Sequence, residues 1–255
     1  AYEILSGLVG SEMCIRERMM REFMLEVCTD SVESAAAAVR GGARRLEVCA
    51  NLVIGGTTPG VSQFKQMRKA CDIPLNVLLR PRYGDFLYTE AEFTMLLEDT
   101  AMFRKLGADG IVVGCLNADG TLDLERIKKL REAADGMHMT LHRAFDVCRN
   151  PKETLEQAVE IGVDTILTSG HKDSCMAGIG LLKQLTEQSA GRIHILAGGG
   201  VTPENIGMLA KETGTDSFHM SGKKIIESGM EYRNDEVNMG IPGIGEYEIF
   251  RTDET

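Results

Sequence analysis

Residues 150–170 read NPKETLEQAVEIGVDTILTSG and contain one complete helix–strand unit. Pro151 is typical of a first helical residue, because the N–H that proline lacks would be unpaired there. Gly162 is typical of a helix end. The apolar run that follows, residues 163–168, has the length of a buried strand and leads into the polar residues 168–170. The unit therefore predicts a helix followed by a strand whose C-terminal end carries functional groups.

The same alternation recurs along the chain. Strands are predicted near 23–28, 45–50, 74–80, 109–114, 138–143, 163–168, 192–197 and 215–219. Helices are predicted near 31–41, 60–71, 89–106, 122–134, 151–161, 178–190 and 203–213. Eight strands that alternate with helices favour a closed (β/α)8 TIM barrel of the α/β class over an open sheet. Sites in such barrels lie at the C-terminal ends of the strands, so the polar strand ends predict one shared pocket.

The two ends of the chain differ from this pattern. Residues 1–18 fit neither a secretory signal nor a first strand, and we predict a non-native or disordered extension before a single TIM-barrel domain within residues 19–255. Glu246–Phe250 starts a periodic segment that predicts an eighth helix, and this final helix is expected to be truncated. Residues 220–245 are predicted to form a long loop on the pocket side, either a lid or a surface loop.

Composition restricts the partners and the compartment. The net charge of −10 argues against nucleic acid or an anionic membrane as a partner, although a small anionic ligand is compatible with it. No apolar stretch of the sequence is long enough to span a bilayer. The seven cysteines are scattered without a framework, which predicts reduced thiols and a cytoplasmic protein.

Alternation along the first two predicted strands places polar side chains on the inner face of the barrel. These side chains are Glu26, Cys28, Glu47, Cys49 and Asn51. Glu26 and Glu47 are candidate catalytic carboxylates, and their burial would be costly without a partner, for which Arg80 is the natural choice. The alternative is a buried ion-pair network that only fixes the core.

Two arginines follow the third strand. Arg80 and Arg82 have the same parity, so both are predicted to point into the mouth of the barrel and to bind a carboxylate or phosphate. Asp85 follows closely, either as part of the ligand site or as a counter-charge to one arginine.

A candidate acid–base pair follows the fifth strand. His142 has the parity to face the pocket, and Asp146 lies close enough in sequence to orient it. His219 occupies a similar place on the eighth strand and is a candidate ligand-binding residue.

The glycine triplet Gly198-Gly199-Gly200 precedes a predicted helix start. Glycines let backbone N–H groups approach an anion, and helix N-termini favour it. Thr168, Ser169 and Ser221 would add hydroxyl groups at neighbouring strand ends. The triplet with the arginines predicts an anion pocket, and a tight turn alone is the alternative.

Cys28 and Cys49 are predicted on adjacent strands, which lie about 4.8 Å apart in a sheet. Two soft thiolates at that spacing can hold Cu(I). The alternative is a pair of small buried hydrophobic side chains.

As a set, the polar motifs resemble the CutC family, in order over roughly residues 23–251. The motifs are Glu26-Val27-Cys28-x-Asp30-Ser31, Glu47-Val48-Cys49-x-Asn51-Leu52, Gly55-Gly56-x-Thr58-Pro59, Arg80-Pro81-Arg82-x-Gly84-Asp85-Phe86, His142-Arg143-Ala144-Phe145-Asp146, Thr168-Ser169-Gly170, Gly198-Gly199-Gly200-Val201 and Phe218-His219-Met220-Ser221-Gly222. The resemblance implies a (β/α)8 barrel, a cytoplasmic homo-oligomer and a link to copper homeostasis. It also implies Cu(I) on Cys28 and Cys49, and it does not imply an organic cofactor.

Two functions therefore remain open at this point. One is a copper homeostasis protein that binds Cu(I). The other is a TIM-barrel enzyme that acts on a small phosphate- or carboxylate-bearing metabolite, with proton abstraction at a carbonyl as a suitable reaction.

Overall fold

The computed structural model describes residues 23–234, 236–240 and 244–254. Eight parallel strands, β1 to β8, close into a barrel in which each strand pairs with its neighbours in the sequence and β8 returns to β1. The strands are Met24–Thr29, Arg45–Val48, Leu75–Leu78, Gly110–Val113, His138–Leu141, Thr165–Thr168, His194–Ala197 and Ser217–Met220. The predicted TIM barrel is confirmed.

Seven α-helices, α1 to α7, follow the first seven strands in the described part of the chain. They are Val32–Arg40, Val61–Ala70, Glu90–Lys105, Leu124–Ala134, Pro151–Ile161, Ile179–Ser189 and Ile206–Thr213. The predicted start signals are present, since Pro151 begins α5 and Thr89 forms a capping box with Glu92 at the start of α3. Gly162 ends α5 in the left-handed region at φ 81°, which favours glycine.

The main hydrophobic core lies between the barrel and the helices. Outward residues of the strands, such as Leu46, Leu75 and Ile111, pack there with Phe64 and Phe103 from the helices. The barrel interior is more polar. Its buried side chains include Glu26, Arg45, Glu47, Asn76, Thr140 and Thr165. Since buried polar groups are costly unless they are paired, this interior needs either partners of its own or a ligand.

Two further strands follow the barrel. Lys223–Glu227 (β9) and Glu248–Thr252 (β10) form an antiparallel pair. The prediction that Glu246–Phe250 begins a helix is therefore wrong, because this segment leads into β10. The backbone N–H of Thr252 donates to Ser34 Oγ on α1 at 3.0 Å. The predicted extension at residues 1–18 lies outside the described residues.

No helix in the described ranges is long and apolar enough to cross a bilayer.

Candidate functional site

A cavity of about 280 Å³ opens at the C-terminal end of the barrel. Its lining includes eight side chains or glycines that the sequence singles out: Cys28, Glu47, Arg80, His142, Gly199, Gly200, His219 and Ser221. These residues come from distant segments of the chain. The structure thus brings Arg80, His142 and Gly199 to one cavity, as the polar strand ends predict.

Other predicted site residues lie elsewhere. Asn51 is exposed and donates from its side chain to Thr57 at 2.8 Å. Arg82 donates to Asp85 and Glu92 at 2.9 and 2.6 Å, and neither Arg82 nor Asp85 lines the cavity. The prediction that Arg82 points into the barrel mouth is therefore wrong. It assumed that side chains alternate as in a strand, but β3 ends at Leu78, before both arginines.

Glu26 lies within the barrel and is fully buried. Arg45 Nε donates to Glu26 Oε2 at 2.5 Å, and His219 Nδ1 lies 2.8 Å from Glu26 Oε1. Burial alone would raise the pKa of Glu26, but hydrogen bonds and charges from His219 and Arg45 lower it to about 2. The predicted partner, Arg80, is therefore wrong for this carboxylate, and Arg45 takes that role.

Sequence reasoning missed Arg45, although a signal was present. Arg45 shares the parity of Glu47 and Cys49, and the register of the barrel places it beside Glu26. Extending the alternation by two residues towards the start of β2 would have placed Arg45 on the inner face.

Glu47 lines the cavity, and its Oε2 atom is buried without a hydrogen-bond partner in the described structure. Burial raises the pKa of Glu47 to about 7, with the charge of Glu26 adding to the rise and His219 opposing it. Ligand atoms of Glu26, Glu47 and His219 lie within 4.8 Å of one another, a grouping that can hold a cation. However, the Glu26 carboxylate is already neutralised by Arg45 and His219.

His219 connects this carboxylate pair to the thiol of Cys28. Burial disfavours the imidazolium, but the adjacent Cys28 and the hydrogen bond to Glu26 raise the pKa of His219 well above its usual value. The ring therefore supplies a positive charge between Glu26 and the cavity.

Arg80 holds three loop carbonyls at the edge of the cavity. Its two terminal nitrogens donate to the carbonyl oxygens of Gly55, Gly56 and Gly84 at 3.3, 3.1 and 2.8 Å. The guanidinium lies 5.2 Å from the ring centroid of Phe86. Its Nε atom is buried without a partner among the described residues, so one N–H donor remains for a ligand.

His142 is buried at the end of β5, with its ring 4.8 Å from the Phe86 ring. Nδ1 accepts a hydrogen bond from the backbone N–H of Ala144 at 3.1 Å, and Nε2 has no partner in the described structure. Burial, followed by the charge of Arg80, lowers the pKa of His142 to about 3. The ring is therefore neutral, with its proton on Nε2.

The predicted pairing of Asp146 with His142 is wrong. The short 3-10 helix Arg143–Val147 carries Asp146 towards β6. There its carboxylate accepts from the hydroxyl groups of Thr168 and Ser169 and from the Ser169 backbone N–H. Asp146, Thr168 and Ser169 thus fix one another beside the cavity and do not line it.

The glycine triplet forms part of the rim. Gly198 donates to the Thr168 carbonyl at 2.9 Å, whereas Gly199 and Gly200 adopt φ of 88° and 89° and line the cavity. Within the described residues, the N–H groups of Gly199 and Gly200 make no hydrogen bond. They remain as donors for a ligand, and this geometry is compatible with the predicted anion role.

The two predicted metal ligands form a separate buried cluster with Leu78 and Val112. Cys28 lines the cavity with Met220, and its thiol lies 3.6 Å from the Met220 carbonyl. Cys49 lies behind it and is fully buried, with its thiol 3.4 Å from the Thr29 carbonyl. Burial, followed by the nearby Cys28, raises the pKa of the Cys49 thiol.

Among the cavity residues with charged or sulfur-bearing side chains, three were not predicted site residues: Arg143, Met220 and Lys223. Arg143 directly follows His142, and Met220 and Lys223 flank Ser221. Their positions next to predicted residues were the available signal.

These features define a (β/α)8 barrel with a polar, ligand-sized cavity at the C-terminal ends of its strands. The model of the CutC family matches residues 23–224, and the chain belongs to this family. A relative from Bacteroides fragilis, described as a family protein CutC, is 49% identical over 231 residues, which cover 90% of this chain and 92% of the relative. A human relative, described as a copper homeostasis protein cutC homolog, is 41% identical over 91% of this chain and 86% of its own length.

Solved structures agree with this assignment. The crystal structure of CutC from Streptococcus agalactiae is similar with a TM-score of 0.75 and 32% identity, and the match covers 78% of this chain and 98% of that one. QR15, an aldolase, matches with a TM-score of 0.60 at 15% identity and covers 78% of this chain and 90% of its own. The second likeness shows the shared barrel fold alone.

Proposed function

We propose that this chain serves copper homeostasis, as the names of its relatives indicate, and that it binds Cu(I) through Cys28 and Cys49. The observation that carries the proposal is the placement of both thiols in one buried cluster, with Cys28 on β1 and Cys49 directly after β2. Thiolate, thioether and imidazole donors suit Cu(I). Met220 lines the cavity beside Cys28, so a thioether donor is available near this thiol. We propose the cytoplasm as the compartment, since thiols stay reduced there.

Anaerobic Cu(I) titration against a chromogenic competitor tests this proposal. We expect the unmodified chain to bind Cu(I) stoichiometrically and Cys28→Ser and Cys49→Ser each to lose this binding. Cys71→Ser is the matched control, because Cys71 is a buried thiol outside the cluster. Stoichiometric binding by a double variant that lacks both Cys28 and Cys49 would exclude this copper site.

A second function is favoured by the cavity itself, namely an enzyme that acts on a small anionic metabolite. The cavity lining carries three cationic side chains, Arg80, Arg143 and Lys223, against one carboxyl group, Glu47, while Asp146 beside the cavity pairs with Arg143. This local excess of positive charge occurs in a chain whose net charge is −10. Two thiol ligands for copper do not require such a lining, whereas a phosphate or carboxylate would pair with it.

A thermal-shift screen with phosphate- and carboxylate-bearing metabolites tests this second function. We expect one or more compounds to raise the melting temperature of the unmodified chain. The shift should disappear in Arg80→Ala and persist in Arg82→Ala, since Arg82 lies outside the cavity on the same loop. Comparing each variant with and without ligand removes the effect of the substitution on stability. Equal shifts in both variants would argue against the cavity as the binding site.

Self-association is a further expectation from the family resemblance. Apolar side chains after the barrel are exposed, including Ile225, Tyr232 and Met239. A homo-oligomer that covers them would remove this apolar surface from water. Sedimentation velocity measures the mass directly, and a monomer at micromolar concentration would contradict the expectation.

A further inference from the structure

The cavity is lined by three buried side chains, each of which carries one polar atom without a hydrogen-bond partner in the described structure. These atoms are Glu47 Oε2, His142 Nε2 and Arg80 Nε, and the residues are 6%, 5% and 9% exposed. Buried polar groups in folded proteins are nearly always hydrogen-bonded. Among the described residues, eight buried side-chain atoms lack a partner, and three of them belong to residues that line this one cavity. These three atoms indicate the hydrogen bonds that a ligand of the cavity would make.

The chemistry of the three atoms fixes what the ligand must present. His142 Nε2 carries the ring proton, because Nδ1 accepts from the Ala144 N–H, and it is therefore a donor. Arg80 Nε is also a donor, since a guanidinium has no acceptor. The Glu47 carboxylate is an acceptor. A ligand that satisfies the three groups offers an oxygen acceptor to His142 and Arg80 and a hydrogen-bearing carbon or hydroxyl to Glu47.

The remaining lining specifies the other end of the ligand. Lys223 is cationic, and so is Arg143, which already donates to Asp146 and Ser169 through Nε and one terminal nitrogen. The N–H groups of Gly199 and Gly200 have no partner in the described structure. This part of the wall suits a phosphate or carboxylate group. A cavity of about 280 Å³ suits a molecule of a few carbon atoms with such a group.

We propose that the cavity takes a small α-hydroxy ketone or aldehyde with a terminal phosphate or carboxylate, and that Glu47 transfers its α-proton while His142 donates to the carbonyl oxygen. This inference rests on the metabolite-binding function above and specifies its substrate class. The pair of groups required is a carboxylate base and a neutral hydrogen-bond donor on the same cavity, and the structure supplies both.

The reaction balances without a cofactor. The α-carbon–hydrogen bond breaks, and its proton moves to the Glu47 carboxylate. The electron pair of that bond forms the carbon–carbon double bond of an enediolate, while the carbonyl π pair moves onto oxygen, where His142 and Arg80 donate hydrogen bonds. Return of the proton to the neighbouring carbon, with transfer of the hydroxyl proton to the first oxygen, gives the isomeric hydroxy carbonyl compound. No oxidant or reductant is consumed.

Exchange of substrate hydrogen for solvent deuterium tests this step directly. Dihydroxyacetone phosphate and hydroxypyruvate are the two probes, each incubated in deuterium oxide with the protein, and the loss of the α-proton signal is followed by proton NMR. We expect exchange faster than in a protein-free blank with at least one probe. Glu47→Gln should slow it about 10²–10⁴-fold. His142→Asn, which keeps an acceptor for the Ala144 N–H, should slow it about 10²–10³-fold.

Glu125→Gln is the matched control, because Glu125 lies on the exposed face of α4 and pairs with Lys129. Circular dichroism tests whether Glu47→Gln and His142→Asn retain the fold, and exchange rates are compared only between folded variants. Thermal shifts with the same two probes distinguish metabolite binding from proton transfer by Glu47. A probe that stabilises the protein without exchange overturns the proton-transfer inference and leaves metabolite binding standing. If neither probe binds nor exchanges, both are overturned, and exchange that survives Glu47→Gln overturns the assignment of the base.

Discussion

Arg45 Nε lies 2.5 Å from Glu26 Oε2 inside the barrel, in a pair that is almost completely buried. The other oxygen of the same carboxylate is 2.8 Å from His219 Nδ1. Register explains the contact, because β1 and β2 place Glu26 directly beside Arg45, and β1 and β8 place it directly beside His219. Three adjacent strands are thus tied through one carboxylate beneath the cavity that His219 and Glu47 line.

Arg45→Met should destabilise the protein strongly, because it leaves the buried Glu26 carboxylate with His219 as its remaining charged partner. Removing one member of a buried ion pair costs about 3–5 kcal/mol. Urea denaturation measures the change in the free energy of unfolding. Arg104→Met is the control, since the ion pair of Arg104 with Asp135 is exposed and is worth about 0–1 kcal/mol. A loss of similar size in both variants would show that the Arg45 pair contributes no more than a surface pair.

The buried neutral ring of His142 should make stability depend on pH. Its pKa is about 3 in the folded protein against about 6.5 for a histidine in the unfolded chain, so the unfolded chain takes up this proton first as the pH falls. The stability that the neutral His142 ring contributes is fully present above pH 6.5 and is lost progressively between pH 6.5 and pH 3. Over that window one proton corresponds to a slope of about 1.4 kcal/mol per pH unit.

His142→Asn removes the titrating group and keeps an acceptor for the Ala144 N–H. The free energy of unfolding of this variant should therefore fall less steeply between pH 6.5 and pH 4 than that of the unmodified chain. Urea denaturation at several pH values gives both slopes. Parallel slopes would contradict a neutral, buried His142.

The sequence was most informative where local rules operate. Alternation placed Glu26, Cys28 and Glu47 inside the barrel, because a strand turns successive side chains to opposite faces whatever its neighbours do. Helix starts at Pro151 and Thr89 were equally local, since a cap needs only residues within one turn. The convergence of strand ends then followed from the topology of a parallel barrel.

Two kinds of feature could not be predicted from local sequence patterns: contacts between strands, and the conformations of loops. Pairing Glu26 with Arg45 and not with Arg80 depends on the register between β1 and β2, which no pattern within one strand fixes. Asp146 turns away from His142 because a 3-10 helix begins at Arg143. The short apolar segment near Phe250 fitted both helix and strand, and its pairing with β9 decided the outcome.

The contact between β10 and α1 should respond to Ser34→Ala. Ser34 Oγ accepts from the Thr252 N–H at 3.0 Å in a buried position, so its removal leaves a buried donor without that partner. Such a loss costs about 1–3 kcal/mol. Hydrogen exchange followed by mass spectrometry measures the effect. Compared with the unmodified chain, Ser34→Ala should exchange faster in β10, whereas exchange in the barrel strands should change less. Ser228→Ala removes an exposed hydrogen bond to the Met230 N–H in the same C-terminal segment and should leave exchange in β10 unchanged. Equal acceleration in both variants would count against the contact.

Gly114→Ala should disturb the cavity through His142. A Cβ atom at position 114 would lie 2.5 Å from His142 Cε1 and 2.6 Å from Nδ1, and Phe86 lies 4.8 Å from the ring, centroid to centroid. The ring must therefore shift, which costs about 1–3 kcal/mol of stability. The shift should also weaken the binding of any ligand that accepts a hydrogen bond from Nε2.

Gly207→Ala is the matched control, because nothing lies within 4 Å of its Cβ position in α7, and it should stabilise the protein by about 0.5–1 kcal/mol. Thermal denaturation with and without ligand measures both effects, and ligand binding that is unchanged in Gly114→Ala would remove His142 from the binding site.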